Sequence, residues 1–412
     1  MFRVLHAEKD GLARVGRLDT PHGAVETPAF VAVATRATVK GVEPDALAKI
    51  GVQMLIANAY HLHLRPGGET VAALGGLAGF SGWTGPTMTD SGGFQIFSLG
   101  AGMEHGVGKV ASIFPGEHPA PRGRRAQGGS LVRLSEEGVS FRSVVDGSPH
   151  LFTPESVIRL ERELGADVAL VLDECTSPLH DRSYTEQAMW RTHRWAERAL
   201  AAFERTRGQG PNPGQLLYGI VQGGAFEDLR RESARTIGGM PFGGFAVGGS
   251  LGRSKKEMHR VLEWTVPLLP EEKARHLLGI GEIPDLFAAV RRGIDTFDCA
   301  APTRVARNGT VFVRDTAGHR VSLRNARFRD DPLPIDPSCD CPTCRSHSRA
   351  YLRHLCVTGE LSYYRLATIH NLRFLVVLLE EIRGAIAAGR LDDLEREWRE
   401  LGEEKGRGDA GR

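Results

Sequence analysis

The sequence predicts an α/β protein built on an irregular (β/α)8 barrel, with a metal-binding subdomain near its C-terminus. Two observations favour the barrel. Short apolar segments of β-prone composition recur along the chain, and most of them precede a segment with helical periodicity. Polar or glycine-rich sequence collects directly after these segments, where the active face of such a barrel lies. A doubly wound open sheet is the alternative, because a strand count from one sequence is fallible.

Eight segments are strand candidates, and helical patterns separate most of them. DVALVLD is nearly all apolar before its terminal acid, as expected of a strand covered on both faces. The candidates are AFVAVAT (29–35), QMLIAN (53–58), PTMTD (86–90), DVALVLD (167–173), LLYGIVQ (216–222), GFAVGG (244–249), HLLGIG (276–281) and IDTFDC (294–299). The helical patterns are PDALAKI, PESVIRLERELG, residues 184–206, FEDLRRESARTI, SKKEMHRVLEWTV and IPDLFAAVRRG.

The domain organisation follows from this pattern. We expect the barrel to occupy residues 1–330 and to carry a Gly/Pro-rich insertion at about 100–130. A zinc-binding helical subdomain is expected over 331–394, and the charged tail 395–412 is expected to be disordered. Apolar runs long enough to span a bilayer are lacking, and the N-terminus does not resemble a secretion signal. We therefore expect a cytoplasmic protein with no membrane partner.

The charge distribution is uneven along the chain. The formal net charge is only +2, so no field of the whole molecule would attract nucleic acid. Residues 291–329, however, contain nine arginines against three aspartates, which makes a local basic strip. Taken alone, such a strip is more often a solvated face than a binding surface.

Three of the six cysteines lie close together in CDCPTC, as Cys339, Cys341 and Cys344. Three thiolates and one imidazole make a tetrahedral Cys3His zinc set, and the close spacing favours metal over free cysteines. Four protein ligands leave no open position, so the zinc is expected to be structural. The candidate fourth ligands are His347, His354 and His370.

Three carboxylates are expected at strand ends on the active face: Asp90 in TDSGG, Asp173 in DECT and Asp298 in FDC. Any one of them alone would be read as a helix cap or a loop hydrogen bond. Three acids on one rim favour chemistry instead. A retaining glycosidic mechanism uses one carboxylate as nucleophile at the anomeric carbon and another as acid and base for the leaving group.

The remaining polar groups suit a guanine-like ring. Such a ring offers two adjacent N–H donors, and one carboxylate can accept both. Gln222 could donate to the ring carbonyl. Backbone N–H groups near Gly248 and Gly249 could approach the ring closely, because no side chain blocks them.

Together these motifs resemble the bacterial-type queuine tRNA-ribosyltransferases, also called tRNA-guanine transglycosylases. The resemblance covers most of the chain and includes NAYHLHLRPG, TDSGGFQ, DECT, GIVQGG, FAVGG, FDCAAPTRVARNG and CDCPTC. It implies a TIM barrel with a zinc-bearing insert and one structural zinc ion per subunit, and a homodimer. It also implies an enzyme that exchanges the wobble guanine of tRNAs with GUN anticodons for a 7-deazaguanine base.

The resemblance also implies a role for each motif residue. Asp298 would be the nucleophile, Asp90 the acid and base, and Phe94 the aromatic residue that stacks on the base. Base recognition would fall to Asp173, Gln222 and Gly249, and contact with the anticodon loop to Arg304 and Arg307. The zinc ligands would be Cys339, Cys341, Cys344 and His370.

One segment departs from the family's pattern. After AVGG the family usually has a leucine and, a few residues later, a glutamate, whereas this chain has Ser250, and Arg253 or Ser254 near the glutamate position. Val33 and Cys175 keep the compact residues expected around the base. We expect 7-aminomethyl-7-deazaguanine as the incoming base, with 7-cyano-7-deazaguanine and queuine still open. The alternative functions are a nucleoside or glycoside hydrolase and a catalytically inactive RNA-binding relative.

Overall fold

The computed structural model describes residues 1–9, 11–97 and 132–403. Sixteen strands and fourteen helices with defined bounds lie in this part of the chain. The strands are β1 (Phe2–Ala7), β2 (Arg14–Thr20), β3 (Gly23–Thr27), β4 (Ala29–Val33), β5 (Met54–Asn58), β6 (Thr87–Asp90), β7 (Val132–Leu134), β8 (Val139–Arg142), β9 (Pro149–Phe152), β10 (Val168–Leu170), β11 (Leu216–Val221), β12 (Gly244–Val247), β13 (Ala274–Leu277), β14 (Thr296–Asp298), β15 (Thr310–Phe312) and β16 (Arg320–Ser322).

The helices are numbered in the same way, and residues 93–97 are helical as well. The helices are α1 (Pro44–Lys49), α2 (Ala59–Leu64), α3 (Gly68–Ala73), α4 (Gly76–Ser81), α5 (Pro154–Leu164), α6 (Arg182–Arg205), α7 (Glu227–Gly238), α8 (Lys255–Thr265), α9 (Ile283–Arg291), α10 (Ala301–Arg307), α11 (Pro342–Ser346), α12 (Arg349–Thr358), α13 (Leu361–Ala387) and α14 (Leu391–Glu403).

Eight parallel strands close into a barrel in the order β4-β5-β6-β10-β11-β12-β13-β14, and β14 pairs with β4 to complete it. Closure confirms the predicted barrel and excludes the open doubly wound sheet. Seven of the predicted strand segments contain one barrel strand each. The eighth, 276–281, only overlaps β13, which starts at Ala274. The predicted helices are present too; for example, Thr153 and Ser156 form a capping box that starts α5.

The N-terminal sheet of β1, β2 and β3 covers one end of the barrel. His22, in the turn between β2 and β3, lies 2.8 Å through Nδ1 from the carboxylate of Asp167, which precedes β10. Arg14 forms a buried ion pair of 2.6 Å with Asp295, which precedes β14. Because both aspartates lie just before barrel strands, this sheet covers the N-terminal ends of the strands. The carboxyl ends stay available for a site.

The C-terminal helices pack directly on the barrel. One hydrophobic core contains Phe30 and Ala32 from β4 together with Leu375 and Leu379 from α13. Arg383 of α13 donates a hydrogen bond of 2.7 Å to the carbonyl of Pro28. The helices that follow the cysteine motif therefore share their core with the barrel strands.

The end of the chain corrects one prediction. Helix α14 extends to Glu403, so the prediction of disorder is wrong for residues 395–403, while 404–412 lie outside the described residues. Leu391 and Trp398 are buried on one side of this helix, and Trp398 donates a hydrogen bond of 3.0 Å to Glu381. The prediction failed because the segment is highly charged, and its few apolar residues, which recur at helical spacing, are easily overlooked.

Strands β7, β8 and β9 form an antiparallel sheet that the sequence did not predict. The predicted Gly/Pro-rich insertion at about 100–130 lies outside the described residues. Over the described ranges, none of the helices combines the length and the apolar character that crossing a bilayer requires.

Candidate active site

Asp90 is held at the carboxyl end of β6 by its neighbour strand β5. The register pairs Asn58 with Asp90, and Asn58 donates a hydrogen bond of 2.6 Å from Nδ2 to Oδ2 of the carboxylate. The backbone N–H of Gly92 donates to Oδ1 at 3.0 Å, and that of Ala59 at 3.3 Å. Several donors thus fix the orientation of a carboxylate that burial would otherwise disfavour.

Asp298 ends β14 and remains partly accessible, since its side chain is 16% exposed. Its Oδ1 lies 3.2 Å from Nε2 of His276 and accepts a hydrogen bond of 3.0 Å from the backbone N–H of Gly279. His276 itself is fully buried, and its Nδ1 lies 2.9 Å from the hydroxyl of Thr296. The carboxylate is therefore oriented through Oδ1, while Oδ2 accepts no hydrogen bond from the described residues.

Asp90 and Asp298 interact electrostatically across the rim. Burial, with a smaller contribution from the Asp298 carboxylate, raises the pKa of Asp90 to about 7, against hydrogen bonds from Gly92 and Asn58 that lower it. A carboxyl group with such a pKa exchanges a proton near neutral pH. The pair thus combines one acid suited to proton transfer with one accessible carboxylate oxygen.

Asp173 lies at the same end of the barrel, beyond β10. Its Oδ2 accepts a hydrogen bond of 2.5 Å from Nε2 of Gln222, which follows β11. Burial raises the pKa of Asp173 to about 7, although hydrogen bonds from Gln222 and Ser91 lower it. Ser91 directly follows Asp90, and a Cβ on Gly93 would lie 2.8 Å from the carbonyl oxygen of Asp173. The segment after Asp90 therefore packs against Asp173, and all three predicted acids meet at one rim.

Gln222 and Gly249 face each other beside Asp173. Gly249 has φ of +70°, and a Cβ on it would come within 2.0 Å of Oε1 of Gln222. That oxygen is buried and has no hydrogen-bond partner in the described part of the chain. Burial raises the pKa of the Cys175 thiol, and the nearby backbone N–H of Gly249 acts in the opposite direction. Only glycine combines this conformation with this close approach.

Phe94 is the predicted stacking residue. It belongs to the helical residues 93–97, directly after the Gly93 that abuts Asp173, and it is 51% exposed. An aromatic ring this exposed beside buried carboxylates has a face available to a flat ligand.

The predicted basic strip is only partly available for binding. Carboxylates of the described residues pair with several of its arginines, namely Arg291 with Asp392 and Glu395, Arg292 with Glu263, Arg314 with Glu381 and Glu397, and Arg320 with Glu282. Arg304 and Arg307 lie on α10, just after Asp298, and no described carboxylate pairs with either. Arg304 is exposed and Arg307 half-buried. Part of the predicted strip is therefore neutralised by carboxylates, and a cation pair remains next to Asp298.

The predicted metal ligands come together away from the rim. One ligand atom from each of Cys339, Cys341, Cys344 and His370 lies within 4.8 Å of the others. Nε2 of His370 lies 2.6 Å from the carbonyl oxygen of Phe312, which leaves Nδ1 directed toward the sulfurs, 3.3 Å from that of Cys344. These side chains can hold a metal ion, and the outer hydrogen bond fixes the ring as metal-binding histidines require.

Sequence reasoning missed the residues that orient the acids, mainly Asn58, His276 and Gly279. Asn58 ends a predicted strand, as Asp90 does, so its position at the rim was available from the sequence. His276 stands at the start of a predicted strand, but only the pairing of β13 with β14 places it opposite Thr296. A single sequence does not show which residues of neighbouring strands lie opposite each other.

A closed (β/α)8 barrel with two interacting carboxylates and a third, buried carboxylate at its rim is the architecture of an enzyme that makes and breaks glycosidic bonds. The family model for queuine tRNA-ribosyltransferase matches residues 9–117 and 124–403. A putative queuine tRNA-ribosyltransferase of Archaeoglobus fulgidus is 48% identical over 406 residues, covering 96% of this chain and 98% of its own. A queuine tRNA-ribosyltransferase of Roseiflexus sp. is 45% identical over 404 residues, with the same shares. The chain belongs to the queuine tRNA-ribosyltransferase family, the tRNA-guanine transglycosylases.

Proposed function

We propose that the chain replaces the wobble guanine of tRNAs with GUN anticodons by a 7-deazaguanine base, through a covalent bond between Asp298 and the ribose. The observation that carries this proposal is the pairing of Asp90 and Asp298. One acid has a pKa raised to about 7, and the other presents an accessible oxygen at the same rim. Family membership supplies the substrate class.

In the first half of the reaction, the free Oδ2 of Asp298 attacks C1′ of the wobble ribose. The C1′–N9 bond breaks, its electron pair goes to the purine, and the proton on Asp90 passes to the departing guanine. The wobble nucleotide has to leave its stack to reach these groups, which a single-stranded anticodon loop permits.

In the second half, the nitrogen of the incoming base attacks C1′ and the bond to Asp298 breaks. Asp90, now ionised, takes the proton from that nitrogen and returns to its starting state. Two inversions at C1′ restore the original configuration, as in retaining glycosidases. Exclusion of water from the covalent intermediate makes exchange, and not hydrolysis, the outcome.

Base recognition falls to Asp173, Gln222 and Gly249, with Phe94 stacking on the ring. Asp173 accepts the ring N–H and the exocyclic amine, so the bound purine replaces Nε2 of Gln222 as its donor. Gln222 then turns that amide toward the ring carbonyl, and the N–H of Gly249 donates to the same carbonyl when the base is bound. The raised pKa of Asp173 supports this role, because a carboxylate without ligand donors is poorly stabilised at this depth.

The incoming base is 7-aminomethyl-7-deazaguanine in this proposal. Compact side chains at Val33 and Cys175 favour a small substituent, and Ser250 is buried beside Gly249. Arg253 bonds through its backbone N–H to Glu257, 2.5 Å away, so the chain supplies one carboxylate close to this loop. The choice is tested by letting this base, 7-cyano-7-deazaguanine and queuine each compete with labelled guanine. If the aminomethyl base competes less well than either of the other two, the choice is refuted.

Three further assignments complete the proposal. Arg304 and Arg307 bind phosphates of the anticodon loop, supported by their position after Asp298 and by the lack of described carboxylate partners. The Cys3His cluster holds one structural zinc ion per subunit, which suits its donor set. The enzyme is a cytoplasmic homodimer, and the exposed apolar side chains of Tyr351, Val357 and Leu361 on α12 and α13 support self-association.

Incubation of the protein with radiolabelled guanine and tRNA tests the function. Label entering tRNA is expected from wild type, whereas Asp298→Asn is expected to abolish incorporation while leaving the tRNA Kd nearly unchanged. The matched control is Asp330→Asn, an exposed aspartate outside the rim. Free ribosyl products without incorporation would indicate a hydrolase, and binding alone would indicate an inactive RNA-binding relative. Normal turnover by Asp298→Asn would remove Asp298 as the nucleophile.

A further inference from the structure

Arg230 places a completely buried guanidinium beside the base-binding residues. It lies near the start of α7, shortly after the loop that carries Gln222. No carboxylate of the described residues forms an ion pair with it. Burying a cation without a counter-ion is unfavourable unless hydrogen bonds satisfy its donors. The partners of this group therefore indicate why the cation is retained.

The partners are backbone carbonyls from two neighbouring loops, which follow β11 and β12. Four hydrogen bonds of normal length hold the guanidinium, and the acceptors are Gly224 at 2.7 Å from Nε, Val221 at 2.9 Å from Nη1, and Gly248 at 2.9 Å and Ser250 at 2.8 Å from Nη2. The first two acceptors lie on either side of Gln222. The last two lie on either side of Gly249. One side chain thus fixes both loops that face the purine.

Peptide geometry turns this contact into an orientation of the site. In a planar trans peptide the C=O and the following N–H point in opposite directions. Because the carbonyl of Gly248 points toward Arg230, the N–H of Gly249 points away from Arg230, on the side where it lowers the pKa of the Cys175 thiol. Gly249 in turn packs closely on Gln222, since a Cβ added to Gly249 would lie 2.0 Å from Oε1 of Gln222. The Arg230 guanidinium therefore fixes the direction of the Gly249 N–H and restricts the positions that the Gln222 side-chain amide can adopt.

We propose that Arg230 is a positioning residue that gives the enzyme its affinity for the purine base by fixing these two loops. The inference rests on the proposed function, because it assumes that Gln222 and Gly249 bind the base. A lysine keeps the positive charge but lacks the planar guanidinium. Its three N–H donors all lie on one nitrogen atom, so it cannot bridge four carbonyls on two loops. Geometry, and not charge alone, is what the site requires.

Arg230→Lys tests this, with Arg275→Lys as the matched control. Arg275 is also buried and donates to backbone carbonyls, those of Leu269, Pro270 and Gly293, but at the opposite end of the barrel. Guanine KM is measured at saturating tRNA. For Arg230→Lys it is expected to rise on the order of tenfold or more, while the tRNA Kd stays within about twofold of wild type. For Arg275→Lys both constants are expected to stay within about twofold.

A second variant, Arg230→Ala, adds a readout that a general loss of stability would not produce. Free guanidinium ion at low millimolar concentration is expected to fill the space and restore guanine KM, whereas methylammonium ion is expected to have no effect. A folded Arg230→Lys with wild-type guanine KM overturns the inference. So does misfolding of both Arg230 variants when Arg275→Lys folds, because Arg230 would then serve stability only. Wild type that incorporates no guanine contradicts the proposed function instead, and the two failures are thus distinguishable.

Discussion

His276 and Asp298 lie side by side inside the barrel, with Nε2 of the histidine 3.2 Å from Oδ1 of the aspartate. Thr296 lies 2.9 Å from the other ring nitrogen. A hydroxyl that donates to Nδ1 places the ring proton on Nε2, so the histidine can donate to the carboxylate. The contact leaves Oδ2 of Asp298 as the oxygen available for attack.

The first prediction concerns this contact. His276→Phe removes one of the two groups that orient Oδ1, and a hydrogen bond to a charged group contributes about 1.5–3 kcal/mol. We expect the rate of covalent attachment to tRNA to fall by about 10- to 100-fold, with the tRNA Kd unchanged. Single-turnover assays with labelled tRNA measure both values. A wild-type rate would show that Gly279 orients the carboxylate without help from His276.

The second prediction concerns pH. Asp90 must carry a proton to transfer one to guanine, and its pKa is raised to about 7 mainly by burial. The rate of guanine release should therefore fall as the pH rises through about 7. Asn58 donates a hydrogen bond that lowers this pKa, so Asn58→Ala should move the fall to higher pH. Single-turnover rates between about pH 5.5 and 9 measure the profile. A fall that stays in place or moves to lower pH would contradict the role of Asn58.

The third prediction concerns the metal cluster. Cys344→Ala removes a ligand, and the buried Cys356, which is outside the cluster, supplies the control Cys356→Ala. We expect purified Cys344→Ala to lose most of its zinc and to melt at a lower temperature, because metal binding is coupled to folding. Cys356→Ala should keep about one zinc ion per chain. Atomic emission and thermal unfolding check both variants, and full zinc content in Cys344→Ala would exclude Cys344 as a ligand.

The fourth prediction concerns tRNA binding. Arg304 is exposed on α10 and has no described carboxylate partner, whereas Arg292 is paired with Glu263. Arg304→Ala should weaken tRNA binding and reduce the slope of log K against log salt concentration by about one, as expected when one phosphate contact is lost. Arg292→Ala should leave the slope unchanged. Equal slopes for wild type and Arg304→Ala would place the phosphate contact elsewhere.

The barrel could be predicted because its strands are buried on both faces. A segment such as DVALVLD is then apolar between its two acids, and the polar residue at its carboxyl end, Asp173, marks the rim. Asp90 and Asp298 were found because each lies at the carboxyl end of a predicted strand. Asn58 obeys the same rule, but an amide at a strand end carries less chemical information than a carboxylate.

Other parts could not be read from the sequence, because they depend on contacts between distant segments. Arg230 and Arg231 are adjacent in the same helix and look alike as sequence. The first is fully buried under two loops, whereas the second is partly exposed and paired with Glu227. Helical periodicity places the two side chains on different faces of α7, but only the strand order shows which face lies under the base-binding loops.

The shared core of β4 and α13 bears on how the chain is made. Phe30 is translated 345 residues before Leu375, so the two parts of this core become available at very different times. The outer surface of β4 therefore stays uncovered until α13 has been synthesised, although all eight barrel strands precede that helix in the chain. Nascent-chain truncations of increasing length should therefore remain protease-sensitive until α13 has emerged, which makes the arrival of this helix, and not the completion of the eighth strand, the step at which the barrel becomes native.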